Sequence, residues 1–175
     1  REDEDGAITH AFIGALPVMA FEKITEPIDF PLFHALLTIS LFAVFVMTVI
    51  RWPVNAFLNW RYETQIPPSL HLPLVSRVIH WTAALLFVAF YAGLGLDLAS
   101  DPDSIVFGVP KEMVVLLTLP LLAAALSLAA AFCGFRALIR GEGRLYARFW
   151  YIIVTLLFFV ALGQLAYWNL LGFRF

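Results

Sequence analysis

The four histidines, His10, His34, His71 and His80, are the residues in this sequence best suited to chemistry. An imidazole within a membrane span can ligate haem iron or the magnesium of a chlorophyll-type pigment. His34 and His80 fall at predicted spans and are the candidate axial ligands. A haem held between two helices needs both imidazoles at one depth. By the predicted spans His34 lies near the outer end of the first and His80 near the inner end of the second, about 18 Å apart along the membrane normal at about 1.5 Å per residue. They cannot share one haem. A pigment needs a single axial ligand, so each stays a candidate for that, beside the plainer reading of an interfacial histidine bonded to backbone or lipid. His10 and His71 lie outside the spans and read as surface residues.

Other chemistry is absent as a pattern. The sequence contains no Cys-x-x-Cys, no His-Glu-x-x-His, no Gly-x-Ser-x-Gly and no phosphate loop. Lys23 and Lys111 are the only lysines, and Ala20 and Gly108 stand three residues before them, so no Ser-x-x-Lys nucleophile exists. Asp97, Asp101 and Asp103 could attract a divalent cation, but such a cluster is more often a solvated loop. The single cysteine, Cys133, falls inside a predicted span and reads as a small buried apolar residue. No basic tract supports nucleic-acid binding.

The elements around these residues follow from composition. At 62% hydrophobic and 14% charged, with mean hydropathy +0.87, the chain is far more apolar than a soluble domain. Residues 31–50, 78–96, 113–133 and 149–171 are each long enough for a hydrocarbon core about 30 Å thick. None holds Asp, Glu, Lys or Arg in its interior, as lipid demands and as an ion pathway would violate. The expected fold is all-α and integral to the membrane: a four-transmembrane-helix bundle over 31–175, preceded by a short outer segment, 1–30.

Charge sets the orientation, because cytoplasmic loops carry the excess of Lys and Arg. Arg51, Arg61 and Arg77 against Glu63, with Arg136, Arg140, Arg144 and Arg148 against Glu142, make two loops that together are +5. The remaining segments total −7. Both termini are therefore expected on the outer, periplasmic face of a bacterial inner membrane. Trp52, Trp60, Trp81, Tyr91, Trp150, Tyr151, Tyr167 and Trp168 fall near predicted helix ends and read as an interfacial belt.

Packing signals are concentrated in the last two spans. The run of Ala123, Ala124, Ala125, Ser127, Ala129, Ala130 and Ala131 lets neighbouring backbones approach, which makes the third span the expected centre of the bundle. Pro120 should kink it by removing a backbone donor and crowding the preceding turn. Thr155 and Gln164 are candidates for interhelical hydrogen bonds of about 1 kcal/mol. Ahead of the spans, Asp5-Gly6 is a hairpin-turn signal, and 7–13 and 18–23 could be short strands. A partner strand for that turn would lie upstream of residue 1.

Two resemblances bear on function. Arg77-Val-Ile-His80-Trp81 resembles the Arg-x-x-His-Trp run near a helix start in the bacterial cytochrome b561 family, but the third and fourth spans contain no histidine to supply its partners. Gly143-Arg-Leu-Tyr-Ala-Arg-Phe-Trp-Tyr151 through Tyr167-Trp-Asn-Leu-Leu-Gly-Phe-Arg-Phe175 resembles the C-terminal membrane region of bacterial serine hydrolases of the β-lactamase and penicillin-binding-protein superfamily. Arg1-Glu-Asp-Glu-Asp-Gly6, Phe21-Glu-Lys23, Pro31-Leu-Phe-His34, Arg51-Trp-Pro53, Gly108-Val-Pro-Lys111 and Leu119-Pro120 follow in the order expected of that region. The resemblance implies that the opening segment is the end of a small β domain following a catalytic domain. The family's Ser-x-x-Lys pair has no counterpart here, and Tyr167-Trp168-Asn169 spells its Tyr-x-Asn pattern by coincidence.

The expectation is thus a non-catalytic module: a structural or accessory subunit beside other integral membrane subunits in a respiratory or photosynthetic type of complex, or an anchor. The alternatives are the membrane anchor of a serine hydrolase, and a subunit binding a single pigment or haem. Lipids at the helix faces are the expected contacts.

Overall fold

In the computed structural model, residues 10–13, 16–22, 30–62, 71–100 and 111–171 are described. The Asp5-Gly6 turn, Asp101, Asp103 and the last four residues of the tail lie outside them. The chain divides into two compact units, Arg1–Leu37 and Thr38–Phe175. The first contains strands β1 (His10–Ile13) and β2 (Leu16–Glu22), paired antiparallel with His10 opposite Glu22 and an irregularity between Phe12 and Ile13. Helix α1 (Pro31–Arg61) begins in this unit and runs into the second.

Beyond α1 come α2 (Leu74–Ser100), the short α3 (Lys111–Leu116), α4 (Thr118–Arg140) and α5 (Leu145–Tyr167). Four stretches are long and apolar enough to cross a membrane, with α3 and α4 counting as one span. The fold is the expected all-α membrane bundle. Large apolar side chains such as Leu122, Leu128, Phe132, Phe135 and Ile139 are exposed, and in lipid that is the favourable side to face.

The helices do not end where the apolar runs do. α1 continues eleven residues past the expected end at Ile50, through Pro53 to Arg61. Arg51, Arg61 and Arg77 therefore sit on helices rather than in a loop. α2 is longer at both ends than 78–96, α4 runs on to Arg140, and α5 starts at Leu145 and stops at Tyr167. The stops have local causes. Gly141 takes the left-handed conformation at φ 66°, and Glu142 N–H returns to Ala137 O at 3.1 Å, closing α4. After α5, Asn169 takes φ 55° and Leu170 N–H returns to Leu165 O at 2.8 Å. The Tyr-x-Asn pattern at 167–169 is thus a helix terminus.

Pro120 acts as expected, a little upstream of itself. The helix is interrupted at Leu117, where α3 gives way to α4, because the missing Pro120 N–H would have bonded the Leu116 carbonyl. Downstream the buried face of the span reads Pro120, Ala123, Ser127, Ala130, Gly134 and Ala137, at steps of three and four. These small residues let α4 approach α2 and α5, the most extensive backbone contacts between the described spans. α1 meets α2 and α5 through rings instead: Phe45 lies 5.1 Å from Phe87 and 5.3 Å from Phe158, and Phe87 stacks on Phe158 at 5.4 Å.

Two side chains expected in the interfacial belt are inside. Tyr151 and Tyr91 are buried, and the Tyr151 hydroxyl donates to Ala130 O at 3.2 Å across α5 and α4. Their places on the inward faces of α5 and α2 outweigh their nearness to predicted span ends. Thr155 also departs from expectation, since its hydroxyl donates to Tyr151 O of its own helix at 2.8 Å. Gln164 does bond between helices, donating from Nε2 to Thr38 Oγ1 at 2.7 Å. Cys133 is half-buried, packed against the cluster of Leu72, Ala130, Ala137 and Tyr151.

Candidate functional site

Polar residues recur along α1 after its apolar run: Thr48, Arg51, Asn55 and Asn59 follow at three- and four-residue steps and so share one face. On α2 the same spacing aligns Arg77 with His80 and Trp81. At the start of α5 it aligns Arg144 with Ala147, Trp150 and Tyr151. These faces enclose a cavity of about 570 Å³ at one end of the bundle, completed by Trp52, Ala56, His71, Leu72 and Tyr146. Among the described residues, no Asp or Glu lines it.

The wall is ordered by specific contacts. The Arg51 guanidinium lies over two rings, 5.1 Å from the centroid of Tyr146 and 5.3 Å from that of Trp150, which holds its charge in place by cation–π attraction. Trp52 and Trp81 meet edge to face at 5.4 Å. Trp81 Nε1 donates to Val49 O at 2.9 Å. The His80 ring lies 4.3 Å from the Tyr151 ring and 5.1 Å from Phe158.

Among the described residues several buried polar atoms in this region have no protein partner: the donors Arg77 Nε, Arg148 Nε and Trp150 Nε1, and both ring nitrogens of His80. A buried polar atom without a partner costs about 1–3 kcal/mol. Charge is equally unbalanced. Ion pairs near this end join Arg136 and Arg140 to Glu142 at 3.7 and 3.9 Å, and among the described residues Arg51, Arg77 and Arg144 have no carboxylate within salt-bridge distance.

Of the two histidines singled out by sequence, His80 lines the cavity and His34 does not. His34 lies in the first turn of α1, 7% exposed, with its ring edge-on to Phe33 at 5.4 Å. Among the described residues no three His, Cys, Asp or Glu side chains form a metal-binding group. The cavity offers guanidinium, imidazole, indole and amide donors, a set suited to holding an anion. Sequence reasoning saw its arginines only as topological charge and its aromatics only as a belt. The step of three and four from Arg51 through Asn55 to Asn59 was the signal available for a shared polar face. Compared with known proteins, the chain matches no protein family, no curated protein and no solved structure.

Proposed function

We propose that the chain is a non-catalytic membrane module that anchors an outer domain or takes a structural place beside other integral subunits of a larger membrane complex. The use of polar groups inside the bundle supports this reading. Thr48, Ser127 and Thr155 each bond a carbonyl of their own helix, while Gln164 and Trp81 tie α5 and α2 to α1. These groups satisfy their own helix or join two helices instead of converging on a reacting atom. Apolar faces such as that of Leu122, Leu128, Phe132 and Phe135 remain for lipid and neighbouring helices, as a respiratory or photosynthetic assembly would need. The charge asymmetry favours a bacterial inner membrane with the cavity end inward and both termini outward. Deleting the chain from its native membrane and purifying the complex tests the assembly role. Loss of a partner or of stability is expected; unchanged composition and stability overturns it.

The strands ahead of α1 favour a second reading, the membrane region of a serine hydrolase, because β1 and β2 are what the end of a β domain would contribute. The intact mass of the native chain decides it. A mass near 19.6 kDa sinks the attached hydrolase, and a much larger one supports it. A third reading, a single bound pigment or haem, rests on the unpartnered nitrogens of His80. No visible absorption above the protein background in the purified chain would end it.

A further inference from the structure

We propose that the cavity at the arginine-rich end of the bundle binds a phosphate-bearing anion through Arg51, Arg77 and Arg144, and that lipid headgroups supply the phosphate. Three arginines line the same cavity from α1, α2 and the start of α5, and among the described residues no carboxylate shares the wall with them. Like charges gathered in one partly desolvated place repel one another, and an anion between them converts that repulsion into attraction. Arg136 and Arg140 supply the contrast: they lie a few residues away in sequence but share Glu142, which leaves them no such need.

The donor chemistry suits an oxyanion, phosphate among them. A guanidinium presents parallel N–H groups that match two oxygens of a phosphate or carboxylate. Arg77 Nε and Trp150 Nε1 are buried lining-residue donors without a protein partner among the described residues, as expected where a ligand with several acceptor oxygens completes the site. Arg51 is already fixed over Tyr146 and Trp150, so less of its freedom is lost on binding.

Placement favours a lipid as the source. The cavity lies at the helix ends, where Trp52, Trp81 and Trp150 mark the level of the headgroups. Exposed Leu74, Leu145 and Phe149 neighbour its lining residues in sequence and supply apolar surface for acyl chains. Basic pockets between spans bind anionic headgroups by this combination. The proposal goes beyond the structural-module reading and holds whether the module is a subunit or an anchor.

The test uses the full chain in nanodiscs of phosphatidylcholine containing a minority of phosphatidylglycerol, with retained lipid counted by native mass spectrometry. The wild type is expected to keep phosphatidylglycerol over phosphatidylcholine. Arg77→Gln and Arg144→Gln should each weaken that preference about tenfold, as loss of one charge-assisted contact implies. Arg144 is exposed and its side chain makes no capping bond, so Arg144→Gln reports binding even if Arg77→Gln fails to fold. Arg136→Gln and Arg140→Gln should bind as the wild type does. Equal retention by the wild type and both cavity variants overturns the site, and so does an equal loss in the two controls. A parallel titration in neutral detergent with inorganic phosphate, read by tryptophan fluorescence, separates the sources. No response alongside phosphatidylglycerol retention supports the lipid. A saturable response that Arg144→Gln abolishes, without lipid preference, supports the phosphate site and overturns the lipid as its source.

Discussion

The indole nitrogen of Trp81 donates to the carbonyl oxygen of Val49 at 2.9 Å, and that carbonyl is the one Pro53 leaves without its helical donor. In an unbroken α-helix the N–H of residue 53 would bond the carbonyl of residue 49. Proline has no N–H, and within a membrane an unpaired carbonyl finds no water. A side chain from the neighbouring helix takes the missing donor's place. This allows α1 to pass through Pro53 and carry Arg51, Asn55 and Asn59 along one wall of the cavity.

The two features should therefore be energetically coupled. Trp81→Phe keeps an aromatic ring beside Trp52 but removes the donor, and we expect it to lower stability in detergent by about 1–2 kcal/mol. In a Pro53→Ala background the backbone supplies its own donor, and the same substitution should cost clearly less. A double-mutant cycle on denaturant unfolding measures the difference. Strict additivity would show that the indole bond does not compensate for the proline.

Two helix glycines should respond oppositely to alanine. A Cβ at Gly134 would lie 3.1 and 3.3 Å from Cε1 and Cδ1 of Tyr151, whose ring is buried and tied by its hydroxyl to Ala130. Overpacking against a fixed ring costs about 1–3 kcal/mol, more than the gain of about 1 kcal/mol in helix propensity. Gly134→Ala should therefore destabilise. At Gly93 the Cβ would come 2.6 Å from Leu116 Cδ1, the free end of a flexible side chain that can rotate away. Gly93→Ala should be neutral or mildly stabilising. Thermal unfolding of both variants in one detergent checks the contrast, and a larger loss at Gly93 contradicts it.

Gln164 and Thr155 looked alike in the sequence and should not behave alike. Gln164 Nε2 bridges to Thr38 on α1, so Thr38→Val should cost about 1 kcal/mol and weaken the hold of α1 on α5. The Thr155 hydroxyl bonds its own helix, where removing it leaves the Tyr151 carbonyl its ordinary helical partner. Thr155→Val should thus change stability by under about 0.5 kcal/mol. Unfolding free energies of the two variants decide the point; equal penalties would mean that both hydroxyls act between helices.

How much of this was legible in the sequence follows from where each cause lies. Lipid demands long uncharged apolar runs, so the four spans could be read directly from composition. The break near Pro120 was legible too, because its cause is the residue itself. The continuation of α1 was not, since Arg51 and Pro53 resemble a stop and the compensating donor, Trp81, lies on another helix. Thr155 and Tyr151 illustrate the same limit: sequence shows that a group can bond, and packing decides to what. The cavity was illegible as a unit because Arg51, Arg77 and Arg144 meet only once three separate helix segments are brought together.

Orientation gives the last prediction. The end of the bundle carrying Arg51, Arg77 and Arg144 also carries the turn at Glu142, whereas Ser100 terminates α2 at the acidic end near Asp97. With Cys133 replaced by alanine, single cysteines at Glu142 and Ser100 report the two ends to a membrane-impermeant thiol reagent. If basic loops stay on the cytoplasmic side, Ser100→Cys is labelled in intact spheroplasts and Glu142→Cys only in inverted vesicles. The opposite pattern would place the arginine cavity outward and overturn the inward orientation. Labelling of both sites in sealed spheroplasts would mean the chain has no single topology, which the +5 and −7 division of its charges argues against.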